Sequence, residues 1–437
     1  MNNTVQQLIQ DAMNRAVDAG EVAGATMLVT QHGEERWYAQ AGMADVAQGR
    51  SMARDTIFRL YSQSKPVTGT AAMMLVERGL IDLGEPVSDF LPGFKNQRVI
   101  APAAADAAGA ASGDGSADDE TLTNDIPTDM AGTTGSRAGD GERTVPVNRE
   151  LTVKDLLTMT SGLSYPDASH EVGRLTGRLF DELDARLHGP DPMGTIEFAN
   201  RLGEIPLRFQ PGSHWMYGTS ADVIGAIVEV ATGRRFGDFL REEIFEPLGM
   251  ADTAFYVPES KLDRLSASYD NPDNPIDPAH RGRPLCEAVT DHLGIEYRGS
   301  RDPAFQSGGA GLKSTLDDYA RFGQMLVNGG ELDGVRILRP ATVRAMTSGA
   351  MFERHIRDFA DWLPGCDYNT FMRVVKEPGK SMMLCNRGEI GWDGWLGTFF
   401  TDDPSTGSTI LVMMQLTNAG TVPMTRRVKN IVTSHLE

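Results

Sequence analysis

Cysteine is scarce in this chain of 437 residues: Cys286, Cys366 and Cys385 are an odd, scattered set without a C-x-x-C pair. That excludes a disulfide framework and a cysteine zinc site, and three buried thiols are the expectation. Long apolar runs are missing, so no segment suits a membrane span. Basic residues are outnumbered. Lys and Arg total 41 against 60 Asp and Glu, and the net charge of -19 argues against nucleic acid or an anionic membrane as partner. The start of the chain, 1–20, has neither a basic stretch nor an apolar core of the kind a signal peptide needs. Val5, Leu8, Ile9, Met13 and Val17 recur there at helical spacing instead, so an amphipathic helix and a cytoplasmic protein are expected. The hydrophobic share of 40% and charged share of 23% are those of a globular protein with a sizeable core.

Several catalytic signatures are also lacking. There is no G-x-S-x-G nucleophile elbow. Gly379-Lys380-Ser381 resembles the end of a phosphate loop, but position 374 is Val rather than Gly. The eight histidines show no H-E-x-x-H or paired ligand spacing, and His188 and His214 read as surface or structural residues. No metal or cofactor is expected.

Ala25–Thr30 and Glu35–Ala39 read as strands joined in a hairpin at His32-Gly33. A helix of roughly five turns follows from Ser62 and stops near Gly79; Pro66 is tolerated in its first turn, where amides have no helical partner. Residues 101–143 differ in kind: Ala, Gly, Ser, Thr and Asp dominate, and nine acidic residues face two basic ones. Such a segment buries too little apolar surface to offset its ordering entropy, so a disordered acidic insertion is expected, with a substrate lid as the functional alternative. Thr152-Val153-Lys154-Asp155 opens a helix through Met159 with a capping-box pattern. Mostly helical text runs on to Met250 and includes Asp222–Ala231. After Gly308-Gly309-Ala310-Gly311 come a helix over Thr315–Asn328, strands at Phe371–Val375, Leu396–Thr401 and Thr409–Gln415, and a closing helix over Val422–Leu436. The fold class expected is α+β: an antiparallel sheet from both chain ends (about 5–80 and 308–436), flanked by helices, with a mostly helical region (about 81–307) inserted in one domain spanning 5–436.

Ser62-Gln63-Ser64-Lys65 is the stretch richest in chemistry. Three residues apart on a helix, Ser62 and Lys65 share a face. A lysine of lowered pKa can there take the serine's proton and activate it as a nucleophile. On the order of one S-x-x-K arises by chance in a chain this long, so its surroundings decide.

Those surroundings are Phe58-Arg59-Leu60-Tyr61 before the motif, Leu156-Leu157-Thr158-Met159-Thr160-Ser161-Gly162-Leu163, Phe245-Glu246-Pro247-Leu248-Gly249-Met250, and Gly308–Leu312 with Tyr319-Ala320-Arg321-Phe322. In this order they resemble the class C β-lactamase-type serine hydrolases, a superfamily that includes penicillin-recognising carboxypeptidases, family VIII carboxylesterases and related acyltransferases. The resemblance covers nearly the whole chain outside 101–143. It implies a second catalytic element, Y-x-N. Tyr269-Asp270-Asn271 matches literally but lies in loop-like text. Tyr217-Gly218-Thr219 lacks the Asn yet stands between Pro211-Gly212-Ser213-His214-Trp215 and a helix, as the family's tyrosine does, and is preferred. The third element, K-T-G, is absent. Ser405-Thr406-Gly407 reads as a turn, whereas Gly391-Trp392-Asp393-Gly394-Trp395-Leu396-Gly397 resembles the W-x-G form of family VIII esterases.

The resemblance therefore implies Ser62 as nucleophile, Lys65 and Tyr217 as the base pair, and an oxyanion hole from the amides of Ser62 and Trp395. Trp392, Asp393, Gly394 and Thr219 join it in binding substrate. Trp392 replaces a lysine that would grip a carboxylate, and Thr219 replaces an amide suited to a substrate's amide carbonyl, so small carboxylic esters are expected ahead of amides. The alternatives are a β-lactamase, a D-Ala-D-Ala carboxypeptidase or D-aminopeptidase, and, in another class, a catalytically silent binding protein.

Overall fold

The computed structural model describes residues 4–101, 143–276, 278–289 and 291–436; the acidic segment, apart from its ends, lies outside them. Eight strands form one antiparallel sheet: β1 (Gly24–Gln31), β2 (Glu34–Asp45), β3 (Arg50–Ser51), β4 (Cys366–Asn369), β5 (Met372–Val375), β6 (Ile390–Asp393), β7 (Phe399–Asp403) and β8 (Ser408–Met413). Their spatial order is β4-β5-β6-β7-β8-β1-β2-β3. The two chain ends meet where β1 pairs with β8, Thr26 opposite Met413 and Gln31 opposite Ser408. The expected architecture is what the chain adopts.

Period-two alternation distributes the strands' side chains between two cores. Met27, Val29, Ile410 and Val412 face α1 (Val5–Asp18) and the C-terminal helix (Pro423–Thr433), where Ile9, Met13, Val428 and Val432 are buried. Leu28, Leu411 and Met413 belong to the larger core on the opposite side. That core runs on into the helical region, which holds α2 (Lys65–Glu77) and α3 (Ser220–Thr232). Both are buried nearly all round, from Lys65 to Leu75 and from Ser220 to Val228, which marks helices in the middle of a molecule.

Several elements depart from the sequence reading. Ser62 sits in a 3₁₀ turn, Tyr61–Ser64, and α2 proper begins at Lys65. The helix opened by the Thr152–Asp155 capping box is Val153–Leu157, two residues shorter than expected, and Met159 follows with φ 56°. Trp392 and Asp393 lie on a strand rather than before one, and only Gly394–Gly397 form the turn into β7. Of the three thiols, Cys366 is buried, while Cys286 and Cys385 are partly exposed.

Candidate active site

The chain enters the site along Phe58-Arg59, which pairs with Lys313-Ser314. Leu60 N–H donates to the Leu312 carbonyl at 2.9 Å, and Tyr61 then takes a φ of 45°, a left-handed conformation costly for a bulky residue. This bend leaves Ser62 half-open while Gln63, Ser64 and Lys65 are buried.

Lys65 Nζ has three partners: Ser62 Oγ at 3.0 Å, Tyr165 OH at 2.9 Å and the Gly309 carbonyl at 2.8 Å. Burial brings its pKa down to about 7, against the smaller opposing pull of Asp222. Asp222, in the first turn of α3, is itself buried; its Oδ1 accepts from Ser307 Oγ at 2.6 Å and from the Gly309 amide at 3.0 Å. The carboxylate thus anchors the residue whose carbonyl holds the lysine.

Tyr217 places its ring 4.7 Å from Lys65 Nζ, and its hydroxyl hydrogen-bonds the Ser62 side chain. Trp392 Nε1 donates to the same hydroxyl at 3.1 Å. Burial drives the phenol well up, and hydrogen bonding with Ser62 and Trp392 pulls it only partly back. The ring is packed against Tyr165, Trp362 and Trp392, with centroids 5.3–5.7 Å apart. Gly218 lets this segment in: a Cβ there would stand 1.8 Å from the Leu163 carbonyl oxygen.

Gly394 is required in the same sense, since its Cβ would lie 2.2 Å from the Leu60 carbonyl oxygen. The β6–β7 turn is thereby pressed against the backbone just before Ser62. Trp395 packs edge-on to Tyr61 with centroids 4.9 Å apart and donates Nε1–H to Asn418 Oδ1.

Ser62, Lys65, Tyr217 and Trp392 are therefore one connected group. Other expected substrate contacts are differently engaged. Thr219 is fully buried and its hydroxyl donates to the Ser164 carbonyl at 3.4 Å. The Asp393 carboxylate accepts from Arg373 Nη1 at 2.8 Å. Trp392 is 3% exposed, so it is a ligand of Tyr217 rather than an open apolar wall. Tyr269, the rival tyrosine, is buried in the smaller core, where its hydroxyl accepts from the Val46 amide at 2.7 Å. Two residues went unassigned in the sequence, Tyr165 and Asp222. Asp222 had a signal, a lone carboxylate in the otherwise apolar run Ala221–Val228; Tyr165 had none beyond following Leu163.

The sheet flanked by helices and the serine–lysine pair at the head of a buried helix define a β-lactamase/transpeptidase-like protein. The chain belongs to the Beta-lactamase family, whose profile matches residues 5–432. It is 32% identical to Protein Rv1367c of Mycobacterium tuberculosis over 93% of this chain and 89% of that one. It is 28% identical to Esterase EstB of Burkholderia gladioli over 92% of this chain and 88% of EstB. Among solved structures, unliganded simvastatin synthase (LovD) from Aspergillus terreus has the same fold, with a TM-score of 0.74, 22% identity and coverage of 100% of this chain and 99% of that one.

Proposed function

We propose that the protein is a serine hydrolase that cleaves carboxylic esters through an acyl-enzyme. The observation that carries this reading is the environment of Lys65 Nζ. A neutral amine donates its two hydrogens to the Gly309 carbonyl and the Tyr165 hydroxyl, and its lone pair is left for the Ser62 proton. With a pKa of about 7, a sizeable fraction of Lys65 is neutral at physiological pH, whereas Tyr217 keeps its proton. Lys65 is accordingly the base and Tyr217 the relay.

Ser62 Oγ attacks the ester carbonyl as its proton passes to Lys65. Tyr217 hands a proton to the departing alkoxide and is reprotonated from Lys65; water then repeats the sequence in reverse and releases the acid. Among the described residues, neither the Ser62 nor the Trp395 amide has an acceptor, which suits both to the oxyanion. An ester is favoured over a β-lactam because Trp392, spent on Tyr217, offers no charge for a carboxylate, and the nearby Arg373 is paired with Asp393. The name of the related Esterase EstB supports the same substrate class.

The test is intact-mass detection of a fluorophosphonate adduct. One adduct on the wild type and none on Ser62→Ala is the expected result. A wild type that stays unmodified while hydrolysing no p-nitrophenyl ester would sink the reading and favour a silent binding protein.

A further inference from the structure

His292 lies outside the group just described, yet it packs against both residues that flank the nucleophile on its far side. Its ring is 5.0 Å from that of Trp395 and 6.4 Å from that of Tyr61, centroid to centroid. A short backbone clasp holds it there: the His292 amide donates to the Ile295 carbonyl at 3.1 Å, and the His292 carbonyl accepts from the Ile295 amide at 3.0 Å. The residue as a whole is part-exposed, but Nε2 is buried and has no hydrogen-bond partner among the described residues. A buried ring nitrogen left unpaired has lost its water without a replacement partner, so an orphan beside the candidate nucleophile calls for an explanation. Burial brings its pKa down to about 4, so the imidazole stays neutral at physiological pH and presents one N–H and one lone pair. A neutral imidazole packed beside two aromatic rings suits an uncharged oxygen better than an anion.

We propose that His292 Nε2 is a specificity-determining group that hydrogen-bonds an uncharged oxygen, a hydroxyl or carbonyl, on the ester substrate at the Trp395 side of Ser62. Nε2 reads the oxygen, while the neighbouring carbon chain lies along the part-exposed ring of Trp395. Tyr217 and Trp362, both part-exposed, take the apolar arm, the Tyr217 hydroxyl being engaged with the buried Trp392 indole. This inference rests on the ester-hydrolase reading, and its test must be able to fail separately.

Two isosteric pairs distinguish which arm carries the oxygen: p-nitrophenyl esters whose acyl chains end in hydroxyl or methyl, and hydroxyethyl against propyl esters of one acid. In one pair the wild type should favour the oxygenated member by about 10-fold in kcat/KM. His292→Phe should bring that ratio close to unity, and His292→Gln, whose amide reaches the position of Nε2, should restore it. Calorimetry on Ser62→Ala should show the same preference in Kd, lost when His292→Phe is added. A binding preference without turnover in the wild type would sink the hydrolase reading and uphold this one. The proposal is overturned if neither pair is discriminated, which would leave Nε2 to a bound water. Equal losses on both members of a pair in His292→Phe would overturn it too, as a merely structural role.

Discussion

The indole N–H of Trp392 is bonded to the hydroxyl of Tyr217, 3.1 Å away, across the gap between the strand β6 and the head of α3. A donor on a phenol oxygen stabilises negative charge there, so in the proposed mechanism Trp392 would ease the proton's departure from Tyr217 toward a leaving group. Trp392→Phe keeps the aromatic packing and removes only that donor. Its kcat for p-nitrophenyl esters should fall about 5- to 30-fold with little change in KM, the size of one hydrogen bond made to developing charge. A rise in KM at constant kcat would make Trp392 a substrate wall instead.

The acid limb of the rate should belong to Lys65. With the amine as base, kcat/KM rises with pH through about 7 and then levels off, because Tyr217, pushed upward by burial, keeps its proton in alkaline solution. Asp222 opposes the lowering of Lys65, so Asp222→Asn should move the limb to lower pH while reducing the plateau through a loosened Gly309 peptide. A limb that stays in place in pH–rate profiles of this variant would mean that another group titrates.

Lys65→Arg should be almost as inactive as Lys65→Ala, with kcat/KM down by about 10²–10⁴-fold. Guanidinium is never neutral in working conditions, and its planar fork does not fit a pocket that surrounds one nitrogen with Ser62, Tyr165 and Gly309. Near-normal turnover by the arginine variant would show that Lys65 is not the base.

The sheet was legible because its central strands are short runs rich in apolar and β-branched residues and because Gly33 marks the turn of the first hairpin. Cys366–Asn369 went unread as a strand for the converse reason. Its hairpin to β5 turns at Thr370-Phe371, both at positive φ (45° and 63°), where sequence rules look for Asn-Gly or Gly-Gly. Ser62 and Lys65 could be paired from spacing alone, since a helical turn fixes their separation. Tyr165 and His292 could not, being brought in by loops whose course depends on the packed whole. Nor could the fate of Thr219 and Asp393 be read from residue type: a hydroxyl and a carboxylate suited to substrate are spent on Ser164 and Arg373.

Asp402 gives a stability prediction independent of the site. It is fully buried on β7, Oδ1 accepts from Thr409 Oγ1 at 2.7 Å, and Oδ2 has no partner among the described residues. Burial raises its pKa from 3.8 to about 7. Below the unfolded-state value both states hold the proton, and the acid costs nothing by titration. As pH rises between the two values the unfolded chain ionises and the folded one does not, so stability declines through that window and levels off once the folded group also ionises. Asp402→Asn removes the titration while keeping the acceptor for Thr409. Its advantage over the wild type in thermal unfolding should therefore grow from about pH 4 to about pH 8, by roughly 1–4 kcal/mol. A difference between the two proteins that stays constant across that range would mean that Asp402 does not change protonation there.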